Sequence, residues 1–148
     1  MRKLLLCIFV ALFAMSCSKE PLGTSLPSTT LYIYGGRDES VYLGKLNASK
    51  FDSESIWNQF GEYGSYLRTE SIWNEYGTYG SELSSYSPFN DLASNPPVLR
   101  DKNGKFYGYF TSNKYKVDRA NYAVIDKICE NHKRIRKDVS KWYDKLFL

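Results

Sequence analysis

Hydrophobic positions follow four different rhythms along this chain. Leu4 to Met15 is an unbroken apolar run behind a basic start of Arg2 and Lys3. Leu31–Tyr34 and Val41–Leu46 are short β-prone stretches separated by Gly35-Gly36-Arg37-Asp38-Glu39-Ser40, a composition that predicts a hairpin. Pro97–Arg100 and Lys105–Thr111 flank Asp101-Lys102-Asn103-Gly104, and Asn-Gly between β-prone residues predicts a second hairpin. At the end, Ile125, Ile128, His132, Ile135, Val139, Trp142 and Leu146 recur three and four apart. That spacing is one apolar stripe on a long C-terminal helix, with Asp118 as its N-cap and room for a break near Arg136 to Asp138.

Between the hairpins lies an internal repeat with a period of 16, spanning about 48–93. Ser55-Ile56-Trp57-Asn58-Gln59-Phe60-Gly61-Glu62-Tyr63-Gly64-Ser65 returns as Ser71-Ile72-Trp73-Asn74-Glu75-Tyr76-Gly77-Thr78-Tyr79-Gly80-Ser81. A degraded third copy follows as Ser87-Pro88-Phe89-Asn90-Asp91-Leu92-Ala93, and Phe51 aligns with Leu67 and Leu83. Ser55, Ser71 and Ser87 stand where helix N-caps would, and Pro88 suits a first helical position. Gly61 and Gly77 fall where a left-handed helix stop is expected. Each unit therefore reads as one short helical turn with a Tyr-Gly-Ser return. One short strand per unit, as in a β-solenoid, is the competing reading. The expected fold is α+β: small antiparallel hairpins, aromatic and glycine-rich repeats with helical turns, and the closing helix.

The apolar run from Leu4 is too short to cross a bilayer, which needs about 20 residues, so 1–16 reads as a cleaved secretion signal. Phe13-Ala14-Met15-Ser16-Cys17 resembles the lipobox of bacterial lipoproteins, although the family favours Leu at the place of Ala14. The resemblance implies that Cys17 becomes the acylated first residue of the mature protein. An ordinary signal-peptidase site at the same bond is the alternative, and would leave Cys17 a free thiol. Residues 17–29, rich in Ser, Thr, Pro and Gly, form the expected tether, and 30–148 the single domain. Ser18 after the cysteine, by resemblance to enterobacterial lipoproteins, implies the outer membrane of a Gram-negative bacterium.

Composition adds to this picture at three points. Aromatic content of 16% argues for a packed core and against disorder. Of the cysteines, Cys7 leaves with the signal and Cys17 is assigned to lipid, so Cys129 stands alone and no internal disulfide is expected. Charge is divided: three basic residues face seven acidic ones between Lys45 and Asp91, against thirteen and six from Arg100 onward. Packing of the two parts on each other is favoured over an anionic partner for the basic half. Lys133, Arg134, Arg136, Lys137 and Lys141 are its densest part, either a solvated face or a contact with anionic lipid headgroups.

The repeat, together with Ser87-Pro88-Phe89-Asn90, Asn95-Pro96-Pro97 and Phe106-Tyr107-Gly108-Tyr109-Phe110, resembles a family of small bacterial proteins from Leu31 to the C-terminus. That resemblance carries over no catalytic residue. It implies cysteines near positions 45 and 48, where this chain has Lys45 and Ala48, so a metal or redox role built on such a pair is not expected.

The chemistry readable from the residues is that of binding. Trp57 and Trp73, with Asn58 and Asn74 as polar partners, could form a sugar-stacking platform; packing as the repeat core is the favoured alternative. Tyr63 and Tyr79, set between glycines, are expected to be exposed and to contact a glycan or a protein. Glu54 and Glu70 recur at equivalent positions and could form a hydrolytic carboxylate pair, but the third copy has Tyr86 there. His132 is the only histidine, and no nucleophile elbow, phosphate loop or multi-histidine site is present. The expectation is a lipid-anchored envelope protein with a binding or structural role, without catalytic residues, cofactor, metal or nucleic-acid partner. A glycan- or peptidoglycan-binding lipoprotein is the alternative, and a hydrolase using the repeat carboxylates a weaker one.

Overall fold

A computed structural model describes residues 25–148. Cys17 and the signal segment lie outside the described residues. The fold is α+β. Strands β1 (Tyr32–Gly35), β2 (Val41–Lys45), β3 (Val98–Arg100) and β4 (Phe106–Tyr109) form one antiparallel sheet in the order β2-β1-β3-β4. Both hairpins expected from the sequence are present, and β1 joins them by pairing with β3. Helices α1 (Ala123–Ile135) and α2 (Val139–Phe147) follow.

The repeat fills the excursion between β2 and β3, and it contains neither helical turns nor strands. It is a chain of β-turns, each closed by a backbone bond from residue i+3 to residue i. Amides of Asn58, Arg68, Ser71, Asn74, Ser84 and Ser87, among others, donate back three residues. The reason is legible in the side chains. At nearly every third position a Ser, Asp or Asn oxygen accepts the amide two residues on. Asp52 accepts from Glu54, Ser55 from Trp57, Asn58 from Phe60, Ser71 from Trp73, and Asn74 from Tyr76. Such local bonds offer the backbone an alternative to a helix. The fifth unit of a coil has four residues, and Ser65 and Ser81 donate to Gly61 and Gly77 instead. Five units of this kind make the period of 16.

The expected left-handed stops at Gly61 and Gly77 are not found, because neither residue has positive φ. The glycines that matter by close approach are Gly64 and Gly80, whose α-carbons lie against the backbones of Asn58 and Asn74. Trp57, Trp73 and Phe89 stack up the interior, with ring centroids 5.6 and 5.9 Å apart along the series. Each indole donates to the preceding layer, Trp57 Nε1 to Leu46 O and Trp73 Nε1 to Ile56 O, both at 2.6 Å.

Each edge strand of the sheet is bridged at one residue. Lys45 of β2 exchanges backbone bonds with Glu54 and Ile56, and Tyr109 of β4 does so with Asp118 and Ala120. Each bridge occupies the last residue of its edge strand and shortens the unpaired edge that could template association. A bulge in β2 between the partners of Tyr32 and Tyr34 contains Gly44 at φ +102, a conformation that glycine tolerates without strain.

The C-terminal stripe closes the core as expected, but as two helices. Asp138 ends the first segment and caps the second, its carboxylate accepting from the Lys141 amide. Asp118 does not cap α1: it has φ 58, and the helix starts five residues later behind Tyr122. The two charged halves do meet. Arg136 pairs with Glu75 at 2.9 Å, Lys133 with Glu82 at 3.1 Å, and Lys50 with Asp144 at 2.7 Å. No helix among the described residues is long and apolar enough to cross a membrane.

Candidate functional site

The three-residue rhythm sets which side chains face out. Within each unit the first residue holds the turn; the third points inward in the units that begin at Ser55, Ser71 and Ser87, as Trp57, Trp73 and Phe89 do, and outward in others. Two of these third positions repeat as columns on the outside of the coil: Phe51, Leu67 and Leu83 in one, Phe60, Tyr76 and Leu92 in the other. All six are between 74% and 92% exposed. An isolated exposed leucine needs no explanation, whereas two aligned apolar columns are the kind of patch that marks an interaction surface.

The elbow between α1 and α2 borders these columns. One cleft is lined by Phe60, Tyr66 and Leu67 together with Arg136 and Lys137. The next, about 840 Å³, is lined by Leu67, Tyr76, Lys133, Arg136 and Lys137. A third lies between Phe51, Phe60 and Lys50, with Ser140 of α2 on its wall. Arg136 is held by Glu75 through Nη1, but its Nε and Nη2 are buried without a partner. Lys137 and Lys141 make no ion pair among the described residues.

The residues singled out from the sequence sit elsewhere. Trp57 and Trp73 are fully buried, Trp57 against Tyr143 and Phe147 of α2, so they form the core and not a platform. Asn58 and Asn74 are spent on the backbone. Besides holding its own turn, each donates through Nδ2 six residues back, to Asp52 O and Arg68 O. Tyr63 and Tyr79 are half-buried where exposure was expected. They seat the coil on the first hairpin: Tyr63 covers Gly44 and Tyr79 covers Gly35, where any β-carbon would lie 2.7 and 3.0 Å from the respective ring residue.

Around Tyr63 a polar cluster forms with Tyr42, Glu54 and Lys45. The Tyr42 and Tyr63 rings are 5.0 Å apart, and Lys45 pairs with Glu54 at 2.8 Å. Burial, aided by the charge of Glu54, pushes the Tyr42 hydroxyl far above its ordinary range, so it stays protonated at every physiological pH. Glu70 acts on Tyr79 in the same direction, after burial. The two glutamates thus neighbour different tyrosines, and neither lines the clefts described above.

His132 packs flat on Phe89, 4.4 Å between centroids, with its ring nitrogens on Cys129 O and Glu82. Glu82 itself is partly desolvated, which would raise its pKa, but bonds from Lys133 and His132 outweigh that and hold it below the usual carboxylate range. Cys129 is buried, and desolvation pushes its thiol up to about 12. A thiol in that state is a poor nucleophile. In the folded protein it is expected to resist a thiol reagent such as Ellman's, and to react fully once the chain is unfolded in guanidinium. Rapid labelling of the native chain at residue 129 would contradict this burial.

Among the described residues, no group of three or more His, Cys, Asp and Glu side chains is placed to hold a metal ion. Comparison with protein-family models, curated proteins and solved structures finds no match for this chain. The columns escaped the sequence reading because hydrophobic residues at a fixed period usually mean a core. The period-three row of Ser, Asp and Asn marks the turns, but the same third position carries buried Trp57 and exposed Phe60, so the row alone does not identify the columns.

Proposed function

We infer that this protein is a lipid-anchored component of the bacterial cell envelope, held through Cys17, and that it works by binding and not by catalysis. The observation that carries the binding part is the pair of exposed apolar columns, Phe51-Leu67-Leu83 and Phe60-Tyr76-Leu92, beside a cationic elbow. Keeping six such side chains in water has no structural benefit, since the coil is held by its backbone bonds and its buried rings. The anchor rests on the sequence around Cys17.

Glycan binding draws less support, because Trp57 and Trp73 are enclosed and Asn58 and Asn74 are each bound to backbone through both the amide oxygen and Nδ2. A hydrolase built on Glu54 and Glu70 draws less again, with Glu54 tied to Lys45 and neither glutamate lining the clefts described above.

Mass spectrometry of the mature protein tests the anchor. The expected result is an acylated N-terminal Cys17, and a Cys17→Ala chain that leaves the membrane fraction. An unmodified thiol at residue 17 would remove the anchor from this reading while leaving the binding surface to be judged separately.

A further inference from the structure

We propose that the elbow end of the apolar columns docks on an anionic lipid surface, with Phe51, Phe60, Leu67 and Tyr76 entering the headgroup region while Lys137 and Lys141 contact lipid phosphates. This deepens the reading of the columns as the binding surface.

The first observation is the chemistry of the columns. Five of the six outward residues at the two positions are leucine or phenylalanine, side chains without a hydrogen-bonding atom, and Tyr76 is the sixth. A sugar or an extended peptide needs polar partners at its contact, and the neighbouring asparagines are already bound to backbone. A lipid interface asks only for apolar side chains flanked by cations.

Charge is the second. The carboxylates on this face are mostly neutralised, Glu75 by Arg136, Glu82 by Lys133, Glu62 by Arg68 and Asp144 by Lys50. Lys137 and Lys141 remain unpaired among the described residues, and Lys137 lines two of the clefts. The far end is different, because Asp91 stands next to Leu92. So the positive potential belongs to the elbow end. Basic residues near an anionic membrane each add attraction that falls away within a Debye length.

The third is where the chain enters the domain. Asn47 clamps the incoming strand, accepting from Leu31 N and donating to Thr29 O, both at 2.8 Å. Phe51 is only four residues beyond this clamp. The eight residues from Cys17 to Thr24 reach at most about 28 Å when extended. An acyl group on Cys17 would therefore hold this end of the domain near the bilayer, and docking would add to the anchor at high effective concentration.

The test uses residues 17–148 carrying Cys17→Ser, so that no acyl chain contributes. Co-sedimentation is measured with vesicles of equal parts phosphatidylglycerol and phosphatidylcholine, and with phosphatidylcholine alone. The parent chain is expected to sediment with the anionic vesicles and much less with the neutral ones. Phe51→Ser/Phe60→Ser/Leu67→Ser should weaken binding about tenfold or more. Lys137→Gln/Lys141→Gln should abolish the preference for anionic lipid. Leu83→Ser/Leu92→Ser, at the far end, should bind like the parent.

A parent chain that ignores anionic vesicles would overturn the proposal and leave the columns to a protein partner. Equal losses in the near and far variants would overturn the assigned orientation. Should the triple variant melt early, Phe60→Trp gives an independent reading: brominated acyl chains should quench the emission it adds to that of Trp57, Trp73 and Trp142, and quenching no greater than in the parent refutes insertion. Because the chain lacks Cys17, none of these outcomes depends on whether the natural protein is acylated.

Discussion

Trp73→Ala is expected to destabilise the domain by about 4 kcal/mol, a typical cost for emptying a buried tryptophan site. The ring is fully buried between Trp57 and Phe89, and its loss also strands the Ile56 carbonyl that accepts from Nε1. A carbonyl left without its partner in the interior adds roughly 1 kcal/mol or more. Against a typical total of about 5–15 kcal/mol, much of the fold is at stake. Trp73→Phe, which reproduces the third copy's Phe89, should cost only about 1–2 kcal/mol. Tyr76→Ala, three residues away and 91% exposed, should stay within about 0.5 kcal/mol. Urea titrations of the three variants decide the matter. Equal midpoints for Trp73→Ala and Tyr76→Ala would place the indole outside the core.

Gly80→Ala is expected to cost about 3 kcal/mol or more, and Gly64→Ala a similar amount. A β-carbon on Gly80 would overlap the Asn74 carbonyl oxygen and come within 2.6 Å of that of Ile72. Both atoms belong to backbone held by turn bonds, so no side chain can swing away to make room, and overpacking of this kind distorts the coil itself. Gly104→Ala is the control. Its residue has φ +80 in the Asp101–Lys105 turn but open space around the α-carbon. Only the left-handed conformation is strained there, costing about 1–2 kcal/mol. Thermal melts should show Gly80→Ala far below Gly104→Ala. Similar melting points would mean that the coils pack more loosely than described.

Much of the fold was legible because its signals are local. Asn103-Gly104 marks a turn by backbone preference alone, and the stripe from Ile125 to Leu146 marks a buried helix face by spacing. The repeat is visible as a repeat, and β-turns replace the expected helical turns for a physical reason. Ser55 as a helix N-cap and Ser55 as the first residue of a β-turn make nearly the same bond, an oxygen accepting an amide two residues on. What separates them is the next polar residue. A helix would bury or solvate Asn58 on its surface, whereas here Asn58 begins a fresh turn and donates to Asp52 O. Asp118 is a similar case, a polar residue before an apolar run that a bridge from Arg119 to β4 separates from the helix.

The candidate site was less legible, since exposure is a property of partners. Tyr63 and Phe60 look alike in the sequence, both aromatic beside glycine. Gly44 offers one of them a notch, and nothing in the fold offers the other anything. By itself the sequence determined the hairpins, the helical stripe, the period of 16 and the rings at its centre, because each depends on neighbours within a few residues or on a strict recurrence. Only the tertiary structure decided which aromatics are enclosed, that the asparagines are consumed by backbone, and that the columns meet a cationic elbow. Those outcomes are set by contacts between residues as far apart as Lys50 and Asp144, and no local pattern encodes such pairings.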